Sequence, residues 1–477
     1  MNAPVRFTDA SFSDGQAAVW GGALTTPMLL AAIGALAASG LAAVEVLSPA
    51  VIDGCIARGE NPLQRVEAAR VRCPDVPLRA SVSLLTAHGR RGADVLGAGL
   101  LGPWLRALAA AGIREVVLID ALQEQHRMFD AVRDAIAAGL SAIAALPYVA
   151  DPGLDDQTYA KRALALAGTG AQRVMLRDES GVLTPDRART LLPALRSALG
   201  AVPLDLHTRC QTALGPWMAI EAVRLGVSGI DTALPAVANG ASLPALPLLL
   251  RSLARAKLVA SPISQEALAA ANTTLAAIAD EEGFASSLPW VFDLSPYAHQ
   301  LPGEVAAEFV ARLRAQGQWA RVHAFAAECA AVRADMGSPP MLAPFARAIA
   351  EQAFAHFEGE PRYQSLRPVL RRLLQGVYGT PPAPQHAALQ RRVGRVASEP
   401  VAPPSPAPGH DDPQSLLAQV AGVEARKLPG HASSSALRYA FVSPALALAQ
   451  GLVQRAARYA RLSASGAGVE IHLQLGS

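Results

Sequence analysis

The stretch RVMLRDESGVLTP, residues 173–185, determines how the rest of the chain is interpreted. A short apolar run leads to a charged tip, a glycine, and a Thr-Pro pair that is typical of a helix start. This order predicts a buried strand followed by a helix, the repeating step of a parallel sheet. In such folds the residues at the end of a strand carry the chemistry, so Arg177 and Asp178 are candidate site residues.

The same strand-to-helix step recurs along the first part of the chain. Apolar runs predict strands at residues 5–11, 42–47, 78–85, 115–120, 142–149, 173–178, 203–209 and 229–234. Ala-, Leu- and Arg-rich helical stretches lie between them, three of which begin at Thr-Pro or Asn-Pro pairs. Eight such units in about 250 residues predict an α/β fold, a (β/α)₈ TIM barrel over residues 1–260. The alternative is an open, doubly wound sheet, but no G-x-G-x-x-G follows the first strand, which disfavours a dinucleotide site.

The strand pattern stops after the barrel. Residues 261–379 predict a helical domain, with helical stretches at 265–282, 303–336, 343–357 and 366–377. Residues 380–413 are rich in Pro and Ala and predict a flexible linker. Residues 414–477 predict a short C-terminal extension of a helix pair and one strand, with no biotin-attachment motif.

Composition excludes several classes of protein. The formal net charge of +3 on 477 residues, with the basic residues dispersed, argues against nucleic-acid binding. Four cysteines without a CxxC pair, and no signal peptide, predict a reduced cytoplasmic setting with buried, inert thiols. The uncharged stretch from Gly21 to Val44 is long enough to suggest a membrane span, but Gly40 divides it into a helix and a strand, so no span is predicted.

Polar residues follow several predicted strands and converge at one end of the barrel. They are Asp14, Asp120, Arg177, Asp178, His207, Arg209 and Asn239. His207 and Arg209 are two residues apart on one strand and so face the same side. Asp14 with His207 forms an incomplete divalent-metal site. The alternative is that His207 belongs to a hydrogen-bonded ion-pair cluster.

Several motifs occur in the order found in one known family. They are DASFSD (9–14), DAL (120–122), RDESGVLTP (177–185), HTRC (207–210), YAHQLPG (297–303), GVYGTPPAP (376–384) and SALRYAF (435–441). From Asp9 to about Arg455 the chain resembles the carboxyltransferase domain shared by the α subunit of oxaloacetate decarboxylase and pyruvate carboxylase, an HMG-CoA lyase-like TIM barrel. The resemblance implies the barrel and the helical domain, and a homodimer.

The departures from this family concern the metal site. The resemblance implies a divalent metal held by an Asp, two His and a carboxylated Lys. Asp14 and His207 match, but Arg177 stands at the Lys and Arg209 at the second His. A guanidinium stays protonated and cannot form the carbamate. We therefore expect the two arginines to replace the charge of the metal by pairing with carboxylates.

Other positions implied by the resemblance also differ. Ser13 and Ser83 stand at two arginines of the family, the second of them substrate-binding, and Ala241 stands at its catalytic threonine. The biotin domain is missing, so no covalent biotin is expected.

These departures leave three functional hypotheses. The first is a non-catalytic homologue, a pseudoenzyme, that binds or scaffolds a biotin carrier or carboxylase subunit. The second is an active decarboxylase or lyase on a 2-oxo acid, which binds a small carboxylate ligand through Arg177 and Arg209. The third is a metal-dependent carboxyltransferase that takes biotin from another chain and holds its metal through Asp14 and His207.

Overall fold

The computed structural model describes residues 4–86, 94–95, 98–285 and 287–394. The predicted extension at 414–477 and the second half of the predicted linker lie outside the described residues. Eight parallel strands close into a barrel in which each strand pairs with its neighbours in sequence. They are β1 Arg6–Asp9, β2 Ala43–Leu47, β3 Leu78–Ser83, β4 Ile113–Ile119, β5 Ser141–Pro147, β6 Arg173–Asp178, β7 Leu204–Thr208 and β8 Gly229–Thr232. The predicted TIM barrel is confirmed.

The helices between and after the strands are numbered in chain order. They are α1 Gln16–Trp20, α2 Thr26–Ile33, α3 Pro49–Ala57, α4 Pro62–Arg72, α5 Ala98–Ala111, α6 Gln125–Ala137, α7 Asp156–Ala167, α8 Pro185–Leu199, α9 Gly215–Arg224, α10 Leu246–Arg255, α11 Gln265–Glu282, α12 Pro296–His299, α13 Gly303–Ala315, α14 Val322–Asp335, α15 Phe345–Phe357, α16 Pro368–Leu374 and α17 Ala387–Val393. A short antiparallel pair, Leu85–Thr86 with Asp94–Val95, follows β3.

The predicted helix starts are confirmed by their caps. The Thr184 hydroxyl accepts the backbone N–H of Arg187 (3.2 Å), and Asn61 Oδ1 accepts that of Leu63 (2.9 Å). In both helices a proline follows the cap, where its missing N–H costs nothing. These caps fix where α4 and α8 begin. We call the end of the barrel that is formed by the carboxyl ends of the strands the barrel mouth.

The barrel interior has two unlike halves. Arg79 on β3 bonds Asp231 on β8 and Glu45 on β2, and since β3 and β8 are not neighbours, the first contact crosses the interior. We call these residues, with Arg177 and His207, the charged half. The apolar half consists of Val117, Ile119, Ile143, Ala145 and Met175, all buried.

Helices α12 to α17, residues 296–394, cover the barrel mouth, and we call them the cap. Their apolar side chains, among them Phe309, Phe325 and Phe354, join the apolar half of the barrel in one continuous core. On the side of the charged half, the cap is held by a polar contact, in which Arg209 Nη1 lies 2.9 Å from Glu304 Oε2 on α13.

Two predicted boundaries differ from the structure. The sequence places helix α11 in the helical domain, but Leu268, Leu275 and Ile278 pack in the barrel core. The start of the predicted linker is folded. Helix α17 buries Leu389 against the other helices of the cap, and the His386 N–H donates to the Asp335 carbonyl (2.9 Å). Pro and Ala richness indicated flexibility there, but tertiary contacts with the cap order the segment up to residue 394.

Within the described ranges, no helix combines the length and the apolarity that crossing a bilayer requires. The uncharged stretch at 21–44 folds as α2, a 3₁₀ turn and the start of β2, with Gly40 at φ +80° between them.

Candidate functional site

Four of the predicted residues meet at the barrel mouth. Asp14 lies in a π-helical turn, Ser11–Gly15, directly after β1. Arg177 is the second-to-last residue of β6, and in the sheet register it lies beside His207 on β7. Arg209 follows one residue after the end of β7. All four are buried, and we call them, with Glu179, the arginine cluster.

Arg209 is the centre of the arginine cluster. Its guanidinium donates to Asp14 Oδ1 (2.7 Å), Glu179 Oε2 (2.9 Å) and the carbonyl of Ala241 (3.1 Å). Its Nη1 also lies 2.9 Å from Glu304 Oε2, which belongs to the first turn of α13 in the cap. The planar guanidinium therefore joins three barrel loops and the cap.

Glu179 is a site residue that the sequence analysis missed. It accepts from Arg209 and from Arg177 Nε, so one carboxylate bridges two guanidinium groups. Burial acts to raise the pKa of Glu179, but the two arginine charges outweigh it and hold that pKa well below the usual range. Alternation along the strand was the available signal: residues two apart share a side, which places Glu179 with Arg177 and turns Asp178 away.

His207 is held by the charged half of the interior. Its Nδ1 lies 3.0 Å from Asp231 Oδ2, and its Nε2 lies 3.8 Å from Asp14 Oδ2 and 3.7 Å from Glu179 Oε2. Burial and the charge of Arg177 act to lower the pKa of His207. The hydrogen bond to Asp231 and the carboxylate of Glu179 outweigh them, and the pKa of His207 is raised. The imidazolium form is therefore favoured.

The donor set at the mouth does not fit the divalent metal that the fold implies. Asp14, Glu179 and His207 do offer three ligand atoms within 4.8 Å of one another. However, Glu179 Oε2 already accepts Arg209 Nε, and the guanidinium lies where a cation would be attracted. Two of the four ligand positions are arginines, which have no lone pair to donate. These residues therefore do not offer a divalent metal the four donors that the resemblance implies.

Three predicted mouth residues lie outside the arginine cluster. Asp178 points away from the interior and accepts the N–H groups of Val182 and Leu183 (both 2.9 Å), which shapes the β6–α8 turn. Asp120 binds Arg127 on α6 (2.9 Å), whose Nη2 reaches the carbonyl of Tyr378 in the cap. Both face outward because they alternate with interior residues on their strands.

Asn239 forms part of a tight loop and not of the cluster. Its backbone has φ +65°, and its N–H donates to the carbonyl of Leu243 (2.7 Å). This loop presents the carbonyl of Ala241 to Arg209. An asparagine is one of the few residues that adopts this conformation at low cost, which explains its presence there.

The two serines that stand where the resemblance implies arginines make hydrogen bonds within the barrel. Ser13 donates to Glu45 Oε1 (2.7 Å), and the Ser83 hydroxyl donates to the carbonyl of Leu85 (2.6 Å). Burial raises the pKa of the Cys210 thiol, which disfavours the reactive thiolate.

The YAHQLPG motif, residues 297–303, fastens the cap to the barrel. The side-chain amide of Gln300 donates to the carbonyl of Ala150 (2.9 Å), and that of Gln211 donates to the carbonyl of Leu301 (3.0 Å). A Cβ at Gly303 would lie 2.1 Å from the Ala241 carbonyl oxygen, so only glycine permits α13 to approach this loop.

A cavity of about 390 Å³ lies beside the arginine cluster, between the barrel mouth and the cap. Its described walls come from the β2–α3 region, the end of β3, and helices α13 and α15. Glu304 belongs both to this wall and to the contact with Arg209.

The chain has clear relatives among known proteins. The family model described as conserved carboxylase domain matches residues 297–422. The chain is 24% identical to the pyruvate carboxylase B subunit of Methanocaldococcus jannaschii over 399 residues, which are 83% of this chain and 70% of that protein. It is also 24% identical to the 2-oxoglutarate carboxylase large subunit of Hydrogenobacter thermophilus, covering 83% of this chain and 60% of that protein.

Solved structures share the same fold. The carboxyl transferase domain of Rhizobium etli pyruvate carboxylase with pyruvate has a TM-score of 0.77 at 20% identity, over 96% of this chain and 78% of that chain. The same domain with oxamate and biotin has a TM-score of 0.78 at 21% identity, over 95% and 78% of the two chains.

Proposed function

We propose that this chain, whose resemblance to the carboxyltransferase domain of pyruvate carboxylase is established, is a non-catalytic subunit of a biotin-dependent system. In this proposal arginine–carboxylate pairs occupy the barrel mouth where the fold implies a divalent metal. The chain then contributes binding or scaffolding to an assembly in which another subunit performs carboxyl transfer.

The bridging of Asp14 and Glu179 by the Arg209 guanidinium is the observation that carries this proposal. A guanidinium neutralises buried carboxylates, as a metal ion would. Unlike a metal ion, it has no open coordination position at which a substrate oxygen could bind. Its Nε, Nη1 and Nη2 atoms each donate to a fixed acceptor, so the site is organised for stability of this geometry.

The names of the relatives support a role within an assembly. The matched proteins from Methanocaldococcus jannaschii and Hydrogenobacter thermophilus are each named as one subunit of a carboxylase, which places each in a multi-subunit enzyme. By analogy the partners proposed here are a biotin carrier or carboxylase subunit and a second copy of this chain. A cytoplasmic location is part of the same proposal.

Metal content and turnover test the non-catalytic role. We expect the purified full chain to contain no stoichiometric divalent metal by elemental mass spectrometry and to decarboxylate oxaloacetate no faster than the buffer blank. The matched comparison is the double variant R177K/R209H, which restores the two residue types that the resemblance implies at these positions. A stoichiometric metal in the wild type that is lost in Asp14→Ala would overturn the proposal.

Assembly is tested separately. A tagged full chain, expressed in its own host, is expected to co-purify a biotinylated protein that streptavidin detects. The variant Arg209→Ala tests whether the arginine cluster supports that interaction, with the exposed Arg189→Ala as its control. A wild-type chain that recovers no biotinylated protein contradicts the scaffold role.

A second candidate function follows from one unsatisfied atom. Arg177 Nη1 is buried and has no hydrogen-bond partner among the described residues. A small carboxylate ligand would satisfy it, as the active decarboxylase or lyase requires. Oxaloacetate turnover that survives chelation by EDTA and is lost in Arg177→Met would establish this function in place of the first.

A further inference from the structure

We propose that the cavity between the barrel mouth and the cap binds a small organic cation, an ammonium group on an apolar body. The described lining has mostly apolar side chains and an excess of carboxylates. This inference goes beyond the proposed function, because the cavity can hold a ligand whether or not the arginine cluster is catalytic.

The cavity has the size of a small-ligand site. Its volume of about 390 Å³ is at the lower end of the range for ligand pockets, about 300–1,000 Å³. Apolar walls come from both sides of the barrel–cap boundary, including Ile52 and Val82 from the barrel and Val305 from the cap. Trp104 also forms part of the wall, although its side chain is almost fully buried. Such walls favour an apolar body of limited length.

The described charges of the wall are predominantly negative. Asp53, Glu304 and Glu351 line the cavity, against one cation, Arg347. The Arg347 guanidinium is already neutralised by Glu308, with Nη1 and Nη2 at 2.8 and 2.7 Å from its two carboxylate oxygens. The one described cation of the wall is therefore already paired with a carboxylate.

Glu351 supplies the recognition group. Within the described residues it makes neither a hydrogen bond nor an ion pair, and it is only partly exposed, on the face of α15 that lines the cavity. Glu304, by contrast, is committed to Arg209. One carboxylate without a described partner beside an apolar cavity favours a ligand with one positive charge.

The hydroxyl groups of the wall do not offset this preference. Ser81 donates to Glu45 Oε2 (2.9 Å) and Ser83 donates to the carbonyl of Leu85 (2.6 Å), so both protons are already used. A carboxylate ligand would meet no free donor from these two residues. It would also be placed near three carboxylates, which disfavours it.

Three probes with the same ring and different charge test the ligand class. They are 2-phenylethylamine as its ammonium form, neutral 2-phenylethanol, and anionic 3-phenylpropanoate, each titrated into the full chain by isothermal calorimetry. We expect the ammonium probe to bind about tenfold more tightly than the neutral one, equivalent to about 1.4 kcal/mol. We expect the anion to bind most weakly, and added salt to reduce the difference.

Two substitutions localise the effect. Glu351→Gln is expected to reduce binding of the ammonium probe severalfold while leaving the neutral probe unchanged. Its matched control is Glu358→Gln, at the C-terminal cap of the same helix and away from the cavity. Ser83→Arg places a cation in the wall and should reverse the order of the ammonium and anionic probes. Thermal unfolding of each variant verifies that it is folded.

Several results would overturn the inference. They are equal binding of the three probes, tighter binding of the anion by the wild type, no measurable binding of the ammonium probe, or an ammonium affinity that Glu351→Gln leaves unchanged. None of them depends on metal content or turnover, so failure here is distinguishable from failure of the proposed function.

Discussion

The charged and apolar halves of the barrel interior use opposite means to close the same mouth. On the apolar side, Ile143 and Met175 continue into the aromatic core of the cap, so closure there rests on burial of apolar surface. On the charged side, Arg209 reaches Glu304 in the cap through an ion pair that is itself part of a buried network. Apolar closure is tolerant of small changes in geometry, whereas a buried ion network is stable only when every member has its partner.

The largest expected effect is in the charged half. Arg209→Ala leaves carboxylates of Asp14, Glu179 and Glu304 without their common partner, and we expect a loss of about 3–5 kcal/mol in the free energy of unfolding. The exposed Arg189→Ala should cost less than about 1 kcal/mol. Urea denaturation measures both, and similar small losses would contradict the view that Arg209 is the centre of the closure.

In the apolar half, Ile143→Ala should cost about 2–5 kcal/mol because it leaves a cavity in the core that the barrel shares with the cap. The exposed Ile136 on α6 is the matched control, and Ile136→Ala should change the free energy of unfolding by less than about 0.5 kcal/mol. If Ile143→Ala lowers the free energy of unfolding no more than Ile136→Ala does, the apolar half does not contribute to holding the cap on the barrel.

A double-mutant cycle sharpens the contrast between the halves. Arg177→Met and Glu179→Leu each leave a buried charge with a missing partner, whereas the double variant removes both charges of the pair. We expect a coupling of about 0.5–3 kcal/mol, with the double variant more stable than the sum of the single losses predicts. Additive losses would show that the pair is not energetically connected.

The smallest expected effect is the pH dependence that His207 confers. Its pKa is raised in the folded chain, so below its ordinary value of about 6.5 its stabilising contribution is complete. As the pH rises through the raised pKa, the folded state loses a proton that it bound more tightly than the unfolded state, and stability falls. The difference in free energy of unfolding between wild type and His207→Gln should therefore shrink from pH 6 toward about pH 9. If the difference grows over this range instead, the pKa of His207 is lowered by folding, and the prediction is wrong.

Much of the fold was predictable from local patterns. Apolar runs indicated all eight barrel strands, and Thr-Pro and Asn-Pro pairs marked helix starts, because period and capping are local properties. The packing of α11 on the barrel and of residues 380–394 on the cap was not predictable. Their amphipathic or Pro-rich patterns do not specify which surface they meet.

The site was predictable in part. Strand alternation places Arg177 with His207, and it would have added Glu179 and set aside Asp178 if it had been applied to β6. Glu304 carried no signal, because it lies about a hundred residues away on a helix whose contact with Arg209 exists only when the cap is docked. Glu304 also connects the arginine cluster to the cavity wall.

By itself the sequence determined the parallel barrel, the order of its strands, and the exchange of two implied metal ligands for arginines. These depend on periodicity and on residue identity, which are fixed locally. The tertiary structure alone decided that Arg209 bridges Asp14 and Glu179, and that the cap leaves a cavity with Glu351 in its wall. Ion pairing and cavities arise from the distances between distant segments, and those distances are set only when the barrel closes and the cap packs on it.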